Sequence, residues 1–369
     1  MKLADADRRK LPALLDELAR AVEELLLSGL TTASEATRQT LNISFQEASR
    51  MRLLRLGSTL RVANEELGRF TRNEPEFSHK RLCFFLNRAW LLSHGLSRAL
   101  RDGDEQEFER LLWVPASEPV ERLEVVTLGV AKKVAVNAFV AFEFRLRTVA
   151  ASGPIPAGQR LVWSCVFPLK PGMNIPAEAF LILPQKQQFA PSLFLERKVL
   201  VIEKAAVALD EFGGGRISLG EASKVSAGEP FTDWQRFQTW DPAAALRRIQ
   251  EHEAGPFDLD VEMQEEVVLE GWQLGEPGEG QDGQTVYPIT YGGTVFDGVV
   301  SAGAEGKALG KALGALRKTQ APPLFGLLHY ARCRLVLQPL AVFGKDGAVQ
   351  LMLSDEKIDR AALLKTLKF

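Results

Sequence analysis

Between Asp258 and Met263 acidic and apolar residues alternate, Asp258-Leu259-Asp260-Val261-Glu262-Met263. On a strand, residues two apart share a face, so Asp258, Asp260 and Glu262 would stand together. Three carboxylates offer the hard oxygen ligands that Mg²⁺ or Ca²⁺ takes, and a divalent metal there could support phosphoester hydrolysis. The plainer reading is the wet side of an edge strand, since no Gly-centred calcium loop accompanies the cluster.

His79 with Cys83, and His329 with Cys333, are i, i+4 pairs. Each pair shares a face on a helix or a strand, and together they offer two nitrogens and two sulfurs to tetrahedral Zn²⁺. The pairs lie 250 residues apart and lack the Cys-x-x-Cys spacing of zinc modules, so packing and surface roles compete with the metal.

Arg50, Arg61 and Arg72 are spaced by eleven, close to three helical turns, which would align them along one helix. Guanidinium forks suit phosphate oxygens, so this row is a candidate for phosphate or nucleic-acid binding, against a solvated, self-paired helix face. Phe231, Trp234, Phe237 and Trp240 recur every third residue and are a candidate partner-binding stripe, with Trp234, Phe237 and Trp240 the most exposed to that use; the alternative is core.

Two motif look-alikes fail. The segment Gly303-Ala304-Glu305-Gly306-Lys307-Ala308 has Ser301 where a phosphate loop needs its first glycine, and Ala308 where it needs a hydroxyl. Ser354-Asp355-Glu356-Lys357 matches Ser-x-x-Lys without its partner motifs, and Ser354 sits where a helix cap belongs.

These residues need elements to hold them. Leu14, Leu15, Leu18, Val22 and Leu25 mark a helix over about 12–27. Ser44-Phe45-Gln46-Glu47 reads as a capping box opening a helix that runs to about Phe70. A third helix spans about Ser78 to Arg101, ended by Gly103, and Asp104 opens a short fourth. After a linker at 114–119 the apolar period changes from 3.6 to 2. One long strand is expected from Val134 to Leu146, with Glu143, Arg145 and Arg147 on its polar side.

Further strands are expected at 161–167, 179–183, 198–203 and 207–210, the last turning through Gly213-Gly214-Gly215 into Ile217. A helix over 231–253, broken at Asp241-Pro242, precedes strands at 258–269, 286–290 and 295–300 and a helix at 304–318. A hairpin of 329–343 with 348–353 and a helix at 355–367 close the chain. The spacings between strands are too short for crossover helices, which argues against a doubly wound nucleotide-binding fold.

The expected fold class is α+β: an N-terminal antiparallel helical bundle, then a strand-rich, mainly antiparallel region with a few helices. The expected domains are a bundle at 1–114, a β-rich domain at 120–222 and a mixed α+β domain at 228–369. The last two also read as one continuous β-rich unit.

At 369 residues with 46% apolar and 25% charged residues, the composition is that of a globular protein, and a net charge of −2 gives no bulk attraction for nucleic acid or anionic lipid. That balance hides segregation. From Ala36 to Arg101 twelve Arg and Lys face five acids, a balance of +7, whereas 249–306 holds thirteen acids and no Arg or Lys. The two segments would attract each other or different partners.

No membrane-length apolar run or secretory leader is seen, and the three cysteines are scattered, so a soluble, reducing cytoplasmic setting is expected. The functional expectation is a bacterial-type, non-catalytic interaction or scaffold protein with a protein partner, no membrane and no cofactor. A metal-dependent phosphoester hydrolase using a divalent metal, or nucleic-acid binding through the Arg-rich helices, are the rivals.

Overall fold

The structure, a computed structural model, describes residues 5–31, 35–74, 77–112, 117–135, 139–169, 175–183, 189–209, 214–237, 247, 264–280, 283–302, 304–317, 322–331, 334–345 and 347–354. These residues form an α+β fold, helices first and mostly antiparallel sheets after. They divide into two compact units, one up to residue 115 and the other from 116 onward.

The first unit holds α1 (Asp5–Ser28), α2 (Glu35–Arg50), α3 (Leu54–Thr71), α4 (His79–Asp102) and α5 (Glu105–Leu112). Leu11, Leu15, Leu18, Val22 and Leu25 line one face of α1 at helical spacing and join a single core with Leu41, Leu56, Leu60, Leu86 and Leu96. Ser78 caps α4 by accepting the Arg81 N–H, and Gly103 ends it in the left-handed region. The helix expected from Ser44 to Phe70 is in fact two. Ser44 lies buried inside α2, and Glu47 bonds Arg50 instead of a helix start. α2 ends in a Schellman turn: Leu53 N–H bonds Ala48 O, Arg52 N–H bonds Ser49 O, and Arg52 takes φ 57°.

The second unit begins with β1 (Ser117–Ala135), β2 (Phe139–Thr148), β3 (Arg160–Pro168), β4 (Lys198–Leu209) and β5 (Gly215–Pro230). They close a barrel in the order β1-β2-β3-β5-β4, antiparallel except where β3 meets β5 at the Val162–Arg216 bridge. This is a five-stranded barrel of the OB type. Phe142, Phe144, Leu146, Trp163 and Phe194 fill it, with Phe144, Trp163 and Phe194 mutually stacked.

Three strand expectations are corrected here. The strand expected over 134–146 is the end of β1 and most of β2, because β1 starts at Ser117, inside the expected linker. Residues expected as a strand at 179–183 instead form a 3-10 turn, Ala177–Ile182, whose Phe180 stacks on Phe167 in the barrel core. The strands expected at 198–203 and 207–210 are one, β4, interrupted by a register shift beside Lys204 at φ 55°.

A second sheet follows, with β6 (Glu265–Leu269), β7 (Gln273–Leu274), β8 (Gly278–Glu279), β9 (Thr285–Tyr291), β10 (Thr294–Val300), β11 (Leu324–Ala331), β12 (Arg334–Gly344) and β13 (Gly347–Gln350). Its order is β6-β11-β12-β10-β9-β7, with β13 on β12 and β8 on β9; only β10 and β12 run parallel. The single strand expected from His329 to Phe343 is therefore the β11–β12 hairpin. Leu309 and Leu313 of α6 (Ala304–Leu316) join Ile289, Phe296 and Leu337 in the core on one face of this sheet.

Facing the barrel, Phe325, Leu327, Leu340 and Phe343 pack on Val126, Leu128 and Ala131 of β1. β1 is thus buried on both sides, since Val125 and Val130 belong to the barrel core. Gly129 permits the approach: a Cβ there would lie 2.6 Å from the Phe325 ring. The helix expected at 355–367, the Asp241-Pro242 break and most of the strand expected from Asp258 lie outside the described residues.

Candidate binding face

Pairing registers fix what the barrel shows to the outside along β2 and β3. Arg147 stands opposite Arg160, Arg145 opposite Val162, Glu143 opposite Ser164, Ala141 opposite Val166 and Phe139 opposite Pro168. Lys133 of β1 flanks Ala141, and Arg216 of β5 flanks Val162. The alternating residues Phe142, Phe144, Leu146, Cys165 and Phe167 point inward and are buried, so the period of two puts this row on the outside of the barrel, where Ala141 and Arg147 are covered in turn.

The face is graded in charge. At one end Arg147 lies 3.0 Å from Glu266 of β6, with 10% and 5% of the two side chains exposed, and Arg160 lies 3.6 Å from Glu265. Burial pulls the Arg147 pKa below its ordinary value; Glu266 opposes that and Arg160 adds to it. The Arg147–Glu266 approach is an ion pair without an aligned hydrogen bond. In the middle, Glu143 accepts from Lys133 at 2.8 Å and from Arg145 at 3.0 Å. Burial works against the Glu143 charge, but the Lys133 hydrogen bond and the nearby Lys133, Arg145 and Arg216 charges outweigh it and hold the carboxyl below its usual range. At the other end Phe139, Val166 and Pro168 are exposed, Val166 by 59%.

The acidic segment seen in the sequence thus has cations within its own unit. Glu265 and Glu266 face the barrel arginines, Glu276 pairs with Arg317, and Asp297 with Arg334 at 3.1 Å. No family model and no curated protein matches the chain. Among solved structures, one titled "Crystal structure of the tetrameric p202 HIN2" is 9% identical, covering 65% of this chain and 97% of that chain, at a TM-score of 0.28. A likeness that slight carries no conclusion about fold or function.

The residues singled out by sequence are scattered. Arg50, Arg61 and Arg72 do not form a row, because Arg50 ends α2, Arg61 lies within α3 and Arg72 caps its end. Arg50 bonds Glu47 and Asp7, and Arg72 bonds Glu74. These bonds raise both arginine pKa values and hold Asp7 and Glu74 below the usual carboxylate range. His79 packs its ring on Phe77 at 4.5 Å at the start of α4, and Cys83 is an exposed thiol one turn on. His329 lies on β11, in the other unit. Cys333, Asp258, Asp260, Glu262 and Trp240 lie outside the described residues. Among the described residues no group of three or more His, Cys, Asp and Glu is placed to hold a metal ion.

Trp234 and Phe237 sit on a 3-10 turn, Trp234–Phe237, half-buried at the seam between barrel and second sheet. Trp234 stacks flat on Phe343, with centroids 4.6 Å apart and planes 11° apart, and Phe231 stacks on Phe237. Arg236 lies 5.5 Å over Phe237 and donates to Val149 O. Phe231, Trp234 and Phe237 thus pack against their neighbours here. Burial pushes the Cys165 thiol up to about 12, so it is not a nucleophile at neutral pH. No helix among the described residues is long and apolar enough to cross a membrane.

Proposed function

We propose that this is a non-catalytic interaction or scaffold protein, acting in a reducing, cytoplasmic setting, which docks a protein partner on the β2–β3 face. The observation that carries this reading is the exposed apolar end of that face, Phe139, Val166 and Pro168, bordered by the Lys133–Glu143–Arg145 cluster. An apolar centre with a charged rim is the usual anatomy of a protein interface. Nucleic acid would need cations free to meet phosphates. Along this face Arg147 and Arg160 are turned to Glu266 and Glu265, and Arg145 to Glu143.

The test immobilises the full chain, crosslinks it in cell extract and identifies what is retained, with Val166→Glu as the control. The expected result is one or a few proteins held stoichiometrically by the wild type and lost with the variant, whose thermal melt is unchanged. Retention of the same proteins by V166E, or release of them by nuclease, would overturn the reading, the second outcome in favour of nucleic acid.

A further inference from the structure

A cavity of about 290 Å³ opens where the end of β1 meets the β10–α6 junction and β12, and among the described residues none of its lining is acidic. Lys132, Lys133, Ser301 and Gln338 supply its polar groups, beside Gly306, Leu309 and Met352. The volume is at the lower end of the range, roughly 300–1,000 Å³, that small-molecule sites occupy.

The amine at its centre is unusual. The Lys132 side chain is only 7% exposed, and its Nζ donates to Glu178 at 2.8 Å. The same Glu178 oxygen also accepts the Ser354 N–H at 3.0 Å, so it is shared between two donors. An ammonium carries three N–H donors. Only the one to Glu178 is engaged among the described residues, leaving two unengaged. Gln338 has only a weak 3.4 Å contact to the Met352 sulfur for its amide nitrogen, so its donors too are poorly satisfied. Lys133 brings a second ammonium, held by a carboxylate that Arg145 also contacts. Each of the two lining ammonium groups has one carboxylate partner, Glu178 for Lys132 and Glu143 for Lys133.

Gly306 fixes the junction. A Cβ there would fall 1.8 Å from the Ser301 carbonyl oxygen, so this turn of α6 can seat on the end of β10 only with glycine at that position.

Unengaged N–H donors on two neighbouring ammonium groups, with no acid among the described lining residues, call for an anion. We propose that this cavity binds a small polyanion carrying phosphate or carboxylate groups, with Lys132 and Lys133 meeting its charge and Ser301 and Gln338 its remaining oxygens. The cavity shares Lys133 with the charged border of the partner face, but its small probes do not need that face.

Isothermal titration calorimetry of the full chain with inorganic pyrophosphate and with citrate tests it, the two probes separating phosphate from carboxylate. Saturable binding of at least one probe is expected, weakened at least tenfold in Lys133→Met and in Ser301→Ala and unchanged in Val166→Glu. Lys132→Met removes the buried amine but risks the fold through Glu178, so its thermal melt is measured alongside, and Ser301→Ala carries the test if it unfolds. No saturable binding of either probe at millimolar concentration, or binding unchanged in both folded Lys133→Met and Ser301→Ala, would overturn the proposal.

Discussion

Replacing Arg147 by Met isolates the energetics of the barrel–sheet contact. The Arg147–Glu266 pair is 3.0 Å apart with 10% and 5% of its side chains exposed, and no aligned hydrogen bond supports it. Arg147→Met removes the cation, keeps most of the side-chain length and leaves Glu266 buried without its charge partner. Truncating one partner of a buried ion pair costs about 3–5 kcal/mol. Glu266→Leu should cost a similar amount, through the stranded guanidinium and its neighbour Arg160. The double variant strands neither charge, and its loss should be within about 1 kcal/mol of the wild type, because apolar replacement of a whole buried pair is commonly neutral. The coupling between the two sites is then about 5 kcal/mol or more, well above the few tenths typical of independent sites. Urea unfolding followed by tryptophan emission reads it, since Trp163 and Trp272 are both buried in this unit. Single variants losing under about 1 kcal/mol, or a double variant as poor as the sum of the two, would refute the description of this pair as buried and mutually dependent.

Three more outcomes follow from the geometry. Gly129→Val places side-chain atoms on the Phe325 ring and on Leu340, and should lower stability by about 1–3 kcal/mol, read as a drop in melting temperature; an unchanged melt would mean that the layers are not in contact there. Glu66 is fully buried, accepts from Arg69 and from the Ser78 N–H, and lies 3.5 Å from Arg81, so Glu66→Ala should cost about 1–3 kcal/mol and speed amide exchange at the start of α4. Glu143 and Glu178 both have depressed pKa values in the folded protein. Their contribution is therefore present above the ordinary carboxylate pKa of about 4.3 and is lost as pH falls through the lower folded values. Glu143→Gln and Glu178→Gln should flatten that acid limb of the stability curve, and a limb unchanged in both variants would exclude these two carboxylates as its source.

The class of fold was legible in the sequence because periodicity is local. The apolar spacing from Leu14 to Leu25 marks α1, and Ser78 and Gly103 bound α4 as their cap chemistry requires. The break between α2 and α3 was not, since the residue in the left-handed region is Arg52, where glycine or asparagine would have signalled a stop. With that break the eleven-residue arginine spacing lost its meaning. Glu143, Arg145 and Arg147 were visible as the polar side of a strand. The partner of Arg147 was not, because Glu266 comes to β2 only through sheet packing more than 100 residues away in sequence. Phe139 and Val166 escaped for the same reason: exposure on a barrel depends on which neighbouring layer covers a strand, which periodicity does not report.

The two-sided burial of β1 has a consequence in time. Its outer face, Val126, Leu128 and Ala131, is covered by β11 and β12, which begin about 190 residues after β1 ends. The barrel is complete only at Pro230, about 95 residues before β11 begins, so at a synthesis rate of about 5–20 residues per second it can close on the ribosome roughly 5–20 s before its cover exists. During that interval a folded barrel carries a bare apolar strip, which makes the nascent chain a natural client for a holding chaperone.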